Sequence, residues 1–382
     1  MRTIPFSILV VVFLFVIGLS AQPGFSIHWT IQTVDSDGNT GQFTSIVLDT
    51  DGKPHISYCD QTNYTVRYAH WTGAEWLKET VDTVGTEYTH AYTSIALDSD
   101  GNPHISYYAS NTGDLRYASR SGGGAWTVET IDSDGRVGQY SSLLIDSFGT
   151  PHVAYQDQNS YNLHYAKRVG GSWISELVDG TPYTGYYASL ALDAENNPHI
   201  SYYYGAGADL MYVHWNGSTW ISETVDSDGD TGKFTSLSID TDGDIHVGYM
   251  DWDNAALRYA HKETNSWSLE TVDDRTNTGF STSLQLDTSQ TPRVAYCDDG
   301  NGCLRYAFMD GTSWILETVD DTGQARFSSL ALDGAGNVHI SYCDGSTGDL
   351  KYAYGVIPEP GTSLLVGTGV FVLSRLFRRR KF

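Results

Sequence analysis

Seven tryptophans, Trp29, Trp76, Trp126, Trp173, Trp220, Trp267 and Trp314, recur at steps of 47 residues, with one step of 50. Each belongs to the same series of short runs: Glu-Thr-Val-Asp, then Ser-Leu-x-Leu-Asp, then His-Ile-Ser-Tyr, then Leu-Arg-Tyr-Ala. A period of this length means that one supersecondary unit is stacked or ringed many times. A unit this small cannot cover both of its own faces, so successive copies must cover each other.

One period shows what the unit is. Residues 187–193 alternate in polarity and end at an Asn-Asn-Pro turn; residues 199–202, 210–213 and 220–225 follow as three more runs. All four are short, rich in β-branched and aromatic residues, and bounded by Gly, Asn and Asp, which is the pattern of strands joined by hairpins. Asp51-Gly52, Asp100-Gly101 and Asp242-Gly243 fall between the first two runs, where a tight turn needs positive φ. The unit is therefore expected to be a four-stranded antiparallel meander.

The His-led strand recurs at His55, His104, His152, His199, His246 and His339, and Arg293 leads the sixth copy. The chain opens on a Trp strand with no meander before it and ends on a Leu350-Lys351-Tyr352-Ala353 strand with no Trp strand after it. If the first strand completes the last sheet, the ring closes without an open edge. The prediction is an all-β, seven-bladed β-propeller of four-stranded antiparallel blades over residues 29–355, its seam closed by the N-terminal strand, with hydrophobic helices at both termini.

Residues 1–21 combine Arg2, an apolar stretch over 8–17 and a small-residue exit at Gly18-Leu19-Ser20-Ala21, the pattern of a secretory signal peptide. At the other end, over 358–382, Pro358-Glu359-Pro360 precedes an apolar stretch and the basic cluster Arg378-Arg379-Arg380-Lys381. This tail resembles the PEP-CTERM sorting signal. The resemblance implies recognition by an exosortase-type membrane enzyme, and a protein held at or released from the cell surface. The apolar stretch is short for a span of ~20 residues, and a permanent tail anchor is the alternative with the same topology.

The formal charge of −24 repels polyanions, so nucleic acid and anionic membrane surfaces are excluded as partners of the body. Much of that charge sits in loops such as Asp35-Ser36-Asp37-Gly38, Asp132-Ser133-Asp134-Gly135 and Asp226-Ser227-Asp228-Gly229-Asp230. Calcium wants six to eight hard oxygens, and these loops could supply some. The Glu an EF-hand needs at its twelfth position is Ile46 here, and Asx-turn chemistry accounts for the loops equally. Of the four cysteines, Cys297 and Cys303 flank one hairpin and are expected to form a disulfide in an exported protein. Cys59 and Cys343 hold equivalent positions on blades that meet at the seam, and pairing there is left open.

Three repeated patterns could carry chemistry. The histidines form a ring compatible with metal or proton chemistry, but their repetition points to a structural bond to Asp49, Asp98 or Asp146 at the end of the preceding strand. The third and fourth strands hold Arg67 and Glu79, Arg116 and Glu129, Arg258 and Glu270, and Arg305 and Glu317 at near-constant spacing. A hairpin bringing each pair onto one face beside an aromatic ring would grip a sugar, its hydroxyls on Arg and Glu and its apolar face on the ring. In this pairing and in architecture the repeat region resembles fucose-specific lectin-like propellers, and the resemblance implies ligand sites between blades. His164, Met211 and Lys351 replace Arg, and Gln32 replaces Glu, in copies expected to bind poorly. A cross-strand ion pair is the non-functional alternative, with ~0–1 kcal/mol of stabilisation.

An enzyme would break the symmetry with unique convergent groups. The longer loop at 82–90 and Arg293 are the few candidates, and the boxes of sialidases are not evident. The sequence thus reads as an exported cell-surface or matrix propeller with a non-catalytic, lectin-like role toward polysaccharide. A protein–protein platform is the first alternative, and a polysaccharide lyase or glycosidase the second.

Overall fold

The computed structural model describes residues 27–357 apart from 86–90 and 265. The signal peptide and the Pro358-Glu359-Pro360 tail, with the helices expected there, lie outside the described residues. Among the described residues every regular element is a strand, and residues 29 to 356 form one compact unit.

The polarity alternation of each run becomes a strand, and the turns between runs become hairpins. The first blade is Gln42–Leu48, Pro54–Asp60, Thr65–Trp71 and Trp76–Thr83, hydrogen-bonded in that order. Five further four-stranded antiparallel sheets repeat this meander from Ser94 to Asp320. The seventh is built from Ala325–Leu332, Val338–Asp344, Asp349–Val356 and, as its outer strand, His28–Asp35 from the other end of the chain. The seven-bladed propeller and its N-terminal seam are as the repeat offset predicted.

Burial follows the radial order. The second strand Pro54–Asp60 is buried along its whole length, because a neighbouring blade covers each face. The outer strand Trp76–Thr83 is mostly exposed, and first strands of adjacent blades meet around the axis. Leu, Ile and Val from the inner strands and Tyr and Ala from the middle strands fill each gap between blades. Burying such side chains contributes roughly 1.5–3 kcal/mol each before entropy is counted.

Two hydrogen-bonded rings run through all seven blades. The serine of each Ser-Leu or Ser-Ile dipeptide accepts the backbone N–H of the next inner strand: Ser45 from Ile95, Ser94 from Leu143, Ser142 from Leu190, Ser189 from Leu237, Ser236 from Leu284, Ser283 from Leu330 and Ser329 from Ile46, at 2.9–3.3 Å. Farther out, the tyrosine of His-Ile-Ser-Tyr donates to the aspartate ending the outer strand of the preceding blade. Tyr58 bonds Asp35 and Tyr249 bonds Asp226 at 2.7 Å, and Tyr107, Tyr155, Tyr202, Tyr296 and Tyr342 repeat the bond to Asp82, Asp132, Asp179, Asp273 and Asp320. Hydrogen bonds to a charged group contribute ~1.5–3 kcal/mol each.

At the start of each inner strand a bulge shifts the register and turns one residue to positive φ, from 43° to 56°. Those residues are Phe43, Tyr92, Tyr140, Tyr187, Phe234, Ser281 and Phe327, which line an axial cavity of about 350 Å³. Ring centroids of neighbours lie 4.3–4.8 Å apart except at Ser281, where the collar has a gap.

One expectation is corrected. Cys297 and Cys303 are free, buried thiols, as are Cys59 and Cys343. Cys297 stands opposite Leu304 and Cys303 opposite Asp298, so the two sulfurs sit on opposite faces of the sheet and cannot bridge.

Gly232 shows how closely blades approach: its φ is +98°, and a Cβ there would lie 2.6 Å from Leu210 Cα. Gly232→Ala is therefore expected to cost well over ~1 kcal/mol, read as a lower melting temperature. Gly243→Ala, at a similar φ but in open space, should cost less. Equal losses would contradict the close packing of blades.

Candidate functional site

Each histidine of the ring turns Nε2 toward an aspartate and Nδ1 toward a tyrosine. His104 Nε2 lies 3.3 Å from Asp98 Oδ2 and His246 Nε2 3.4 Å from Asp240 Oδ2, and the other four histidines face Asp49, Asp146, Asp193 and Asp333 in the same way. A carboxylate accepts only, so Nε2 carries the proton and Nδ1 accepts from a tyrosine hydroxyl. That tyrosine is Tyr68 for His55, Tyr212 for His199 and Tyr259 for His246, each at 2.5 Å, and Tyr117, Tyr165 and Tyr352 for the rest. Arg293 keeps the contact to Asp287 in the sixth blade. Burial holds the imidazoles neutral: it pushes His55 and His199 down to about 4 and lowers the others, against the pull of the aspartates. The imidazoles are a structural relay: in His104, His152 and His246 both nitrogens are hydrogen-bonded, while His339 Nε2, 3.6 Å from Asp333, is buried without a hydrogen bond.

The Arg–Glu pairs are separated by register. Arg67 stands opposite Thr80, and Glu79 opposite Tyr68; Arg116, Arg258 and Arg305 likewise face Thr130, Thr271 and Thr318, while Glu129, Glu270 and Glu317 face tyrosines. Directly opposed residues share a face, so Arg and Glu of one pair lie on opposite faces. Arg67, Arg116 and Arg258 instead bond Asp35, Asp82 and Asp226 of the preceding blade at 2.7–2.9 Å, and Arg305 bonds Asp298 at 2.6 Å. Burial would raise the Asp35 pKa, but Lys78, Tyr58 and Arg67 together hold it low.

The glutamates line a different cleft, the groove between the outer halves of adjacent blades. Its floor is an edge-to-face pair, a tyrosine of one blade against the tryptophan of the next, repeated seven times from Tyr68–Trp126 to Tyr352–Trp76 with centroids 5.1–5.6 Å apart. Across it the indole N–H donates to the glutamate side: Trp173 to Glu129, Trp267 to Glu223, Trp314 to Glu270 and Trp29 to Glu317, at 3.1–3.3 Å, and Trp76 to Gln32 at 2.9 Å. Cations that the sequence reading missed complete three grooves. Arg120 bonds Glu79, Arg168 bonds Glu129 and Lys262 bonds Glu223. Burial would raise the Glu223 pKa, but Lys262 and Trp267 lower it on balance.

Arg120 lies four residues beyond Arg116 and meets Glu79 of the preceding blade across the groove. Strand alternation from Arg116 reaches it, because residues four apart on a strand share a face. The same position is Trp71 in the first blade and Trp215 in the fourth, and cavities of about 330 and 160 Å³ open beside them.

In the acidic loops Asp35, Asp132 and Asp226 each accept the backbone N–H two residues on, at 3.0–3.3 Å, while their second oxygens take the tyrosine ring bonds. This is Asx-turn geometry.

No protein family matches the sequence, and no curated protein does. Among solved structures the chain is similar to AofleA from Arthrobotrys oligospora, with 14% identity, a TM-score of 0.52 and 80% of this chain aligned to 93% of that one. The fucose-specific lectin from Aleuria aurantia matches at 14% identity and TM-score 0.51 over 73% of this chain and 95% of its own. A PL25 ulvan lyase bound to a GlcA–Rha3S saccharide matches at 13% identity and TM-score 0.61, covering 85% of this chain and 94% of the lyase. At such identities the likeness establishes the fold.

Two predictions follow from the bonding pattern. A double-mutant cycle between Arg258 and Asp226 is expected to give a coupling of about 1–3 kcal/mol, and the cycle between Arg258 and Glu270 close to none; the reverse order would restore the sequence-based pairing. The folded imidazoles titrate below their unfolded value of 6.5, so their contribution is whole above that pH and lost as pH falls toward 4. The melting temperature should fall steadily over that window and fall less in His55→Gln, whereas a flat profile would contradict buried neutral histidines.

Proposed function

We propose that this protein is an exported, non-catalytic carbohydrate-binding propeller that works at the cell surface or in the extracellular matrix. The observation that carries the reading is the groove between blades, where Trp and Tyr rings lie beside carboxylates and cations in a shallow, partly exposed cleft. A pyranose presents one apolar face and a rim of hydroxyls, and such a cleft offers both kinds of partner. The fucose-specific lectin of like fold supports the same reading, and the ulvan lyase, bound to a saccharide, adds a second carbohydrate-recognising neighbour.

A protein-docking role is the second reading. Phe148, in the turn between the first two strands of the third blade, is 85% exposed, and that reading rests on this apolar side chain. Export rests on the signal peptide, and retention on the PEP-CTERM-like tail acting through an exosortase-type enzyme. Calcium is carried as a proposed cofactor of the acidic loops.

A glycan array probed with residues 22–354, with and without calcium, tests the reading. Specific, competable binding is the expected result, and a blank array on folded protein would leave protein docking as the function. Chelation that leaves both melting temperature and binding unchanged would remove calcium. Replacing the tail motif through Pro358→Ala, Glu359→Ala and Pro360→Ala should hold the protein in the membrane fraction; unaltered release would remove the sorting enzyme as a partner.

A further inference from the structure

The groove between the third and fourth blades breaks a bond that its counterparts keep. Five of the seven grooves close with an indole N–H donated to a Glu or Gln side chain. In the groove between the first and second blades, Trp126 Nε1 is also without an acceptor, while Arg120 holds both oxygens of Glu79. Between the third and fourth blades both halves are open. Trp220 Nε1 is buried without an acceptor, and Glu176, opposite Tyr165 in register, makes no hydrogen bond or ion pair among the described residues.

The same groove lacks the cation that closes others. Trp215 stands where Arg120, Arg168 and Lys262 stand elsewhere, edge-on to Trp220 at 5.5 Å, and it walls a cavity of about 160 Å³. Glu176, Lys167, Tyr165 and Asn197 are among the other lining residues, and Lys167, like Glu176, makes no ion pair among the described residues. A buried donor left unpaired is destabilising. A ligand hydroxyl donated to one oxygen of Glu176 would fix the carboxylate with its other oxygen toward Trp220, restoring the bond that the other grooves make internally.

We propose that this groove is the carbohydrate site of the propeller, and that it takes a single neutral pyranose. The inference rests on the carbohydrate reading above and narrows it from seven equivalent grooves to one. Trp215 supplies the apolar platform, Glu176 accepts hydroxyl protons, and Lys167 and Asn197 donate to ring oxygens and hydroxyls. The cavity is well under the ~300 Å³ at which pockets for drug-sized ligands begin, which suits one ring. Glu176 and Lys167 cancel in charge, and the chain's net −24 opposes an anionic sugar. The groove at the seam has its own tryptophan wall in Trp71, but there Gln32 is already bonded to Trp76.

The test uses the full chain, purified in detergent, against immobilised glycans ending in neutral hexoses or in uronates. Trp215→Ala and Glu176→Gln should each weaken neutral-glycan binding at least tenfold at unchanged melting temperature, with Trp71→Ala within twofold of wild type and a stoichiometry of one. Undiminished binding by Trp215→Ala and Glu176→Gln, with wild type still binding, overturns the site and leaves the carbohydrate reading standing. Tighter binding of uronates overturns the neutral class. A wild type that binds no glycan overturns both.

Discussion

Every structural feature of this ring depends on hydrogen bonds and ring contacts made across the gaps between blades. Seven serines tie each inner strand to the next, and seven tyrosines reach back to the preceding outer strand. The strand ladders end at the edge of each sheet, and backbone bonds between loops, such as Val137 N–H to Gly113 O and Thr231 N–H to Ala208 O, add to these two sets. Blades of this size would be marginal alone. Because the first and last blades obey the same rules, one strand borrowed from the N-terminus makes the arrangement endless.

The residues that made the repeat conspicuous are those that join blades. The tryptophan packs on a tyrosine of the preceding blade, the His-Ile-Ser-Tyr tyrosine bonds an aspartate there, and the histidine orients the tyrosine on which the next blade's tryptophan rests. A residue that holds a contact present in every copy must itself be present in every copy. Repetition therefore made the architecture legible, down to the seam and the Asp–His contact. The proposed site lies where a copy departs from the pattern.

The pairing of Arg67 with Glu79 illustrates what spacing alone conceals. The turn between Trp71 and Trp76 sets a register in which Arg67 opposes Thr80 and Glu79 opposes Tyr68, and with a period of two that puts the guanidinium and the carboxylate on opposite faces. The disulfide expectation failed for a similar reason, since Cys297 and Cys303 alternate across the strand pair. Arg120, Arg168 and Lys262 were passed over because Trp71, Met309 and Gly355 occupy their position in other copies, so no repeat drew attention to it. The open groove is a combination of absences, a missing cation and a missing bond, which only three-dimensional context reveals.

Placing function at a break in the pattern implies that the indoles are chemically unequal. The most direct measurement is the NMR spectrum of the tryptophan indole N–H groups during titration with a neutral methyl glycoside. The signal of Trp220 should shift while those of Trp29, Trp173, Trp267 and Trp314, already bonded within the protein, stay fixed. Uniform shifts across the indoles, or a response confined to the bonded ones, would contradict it.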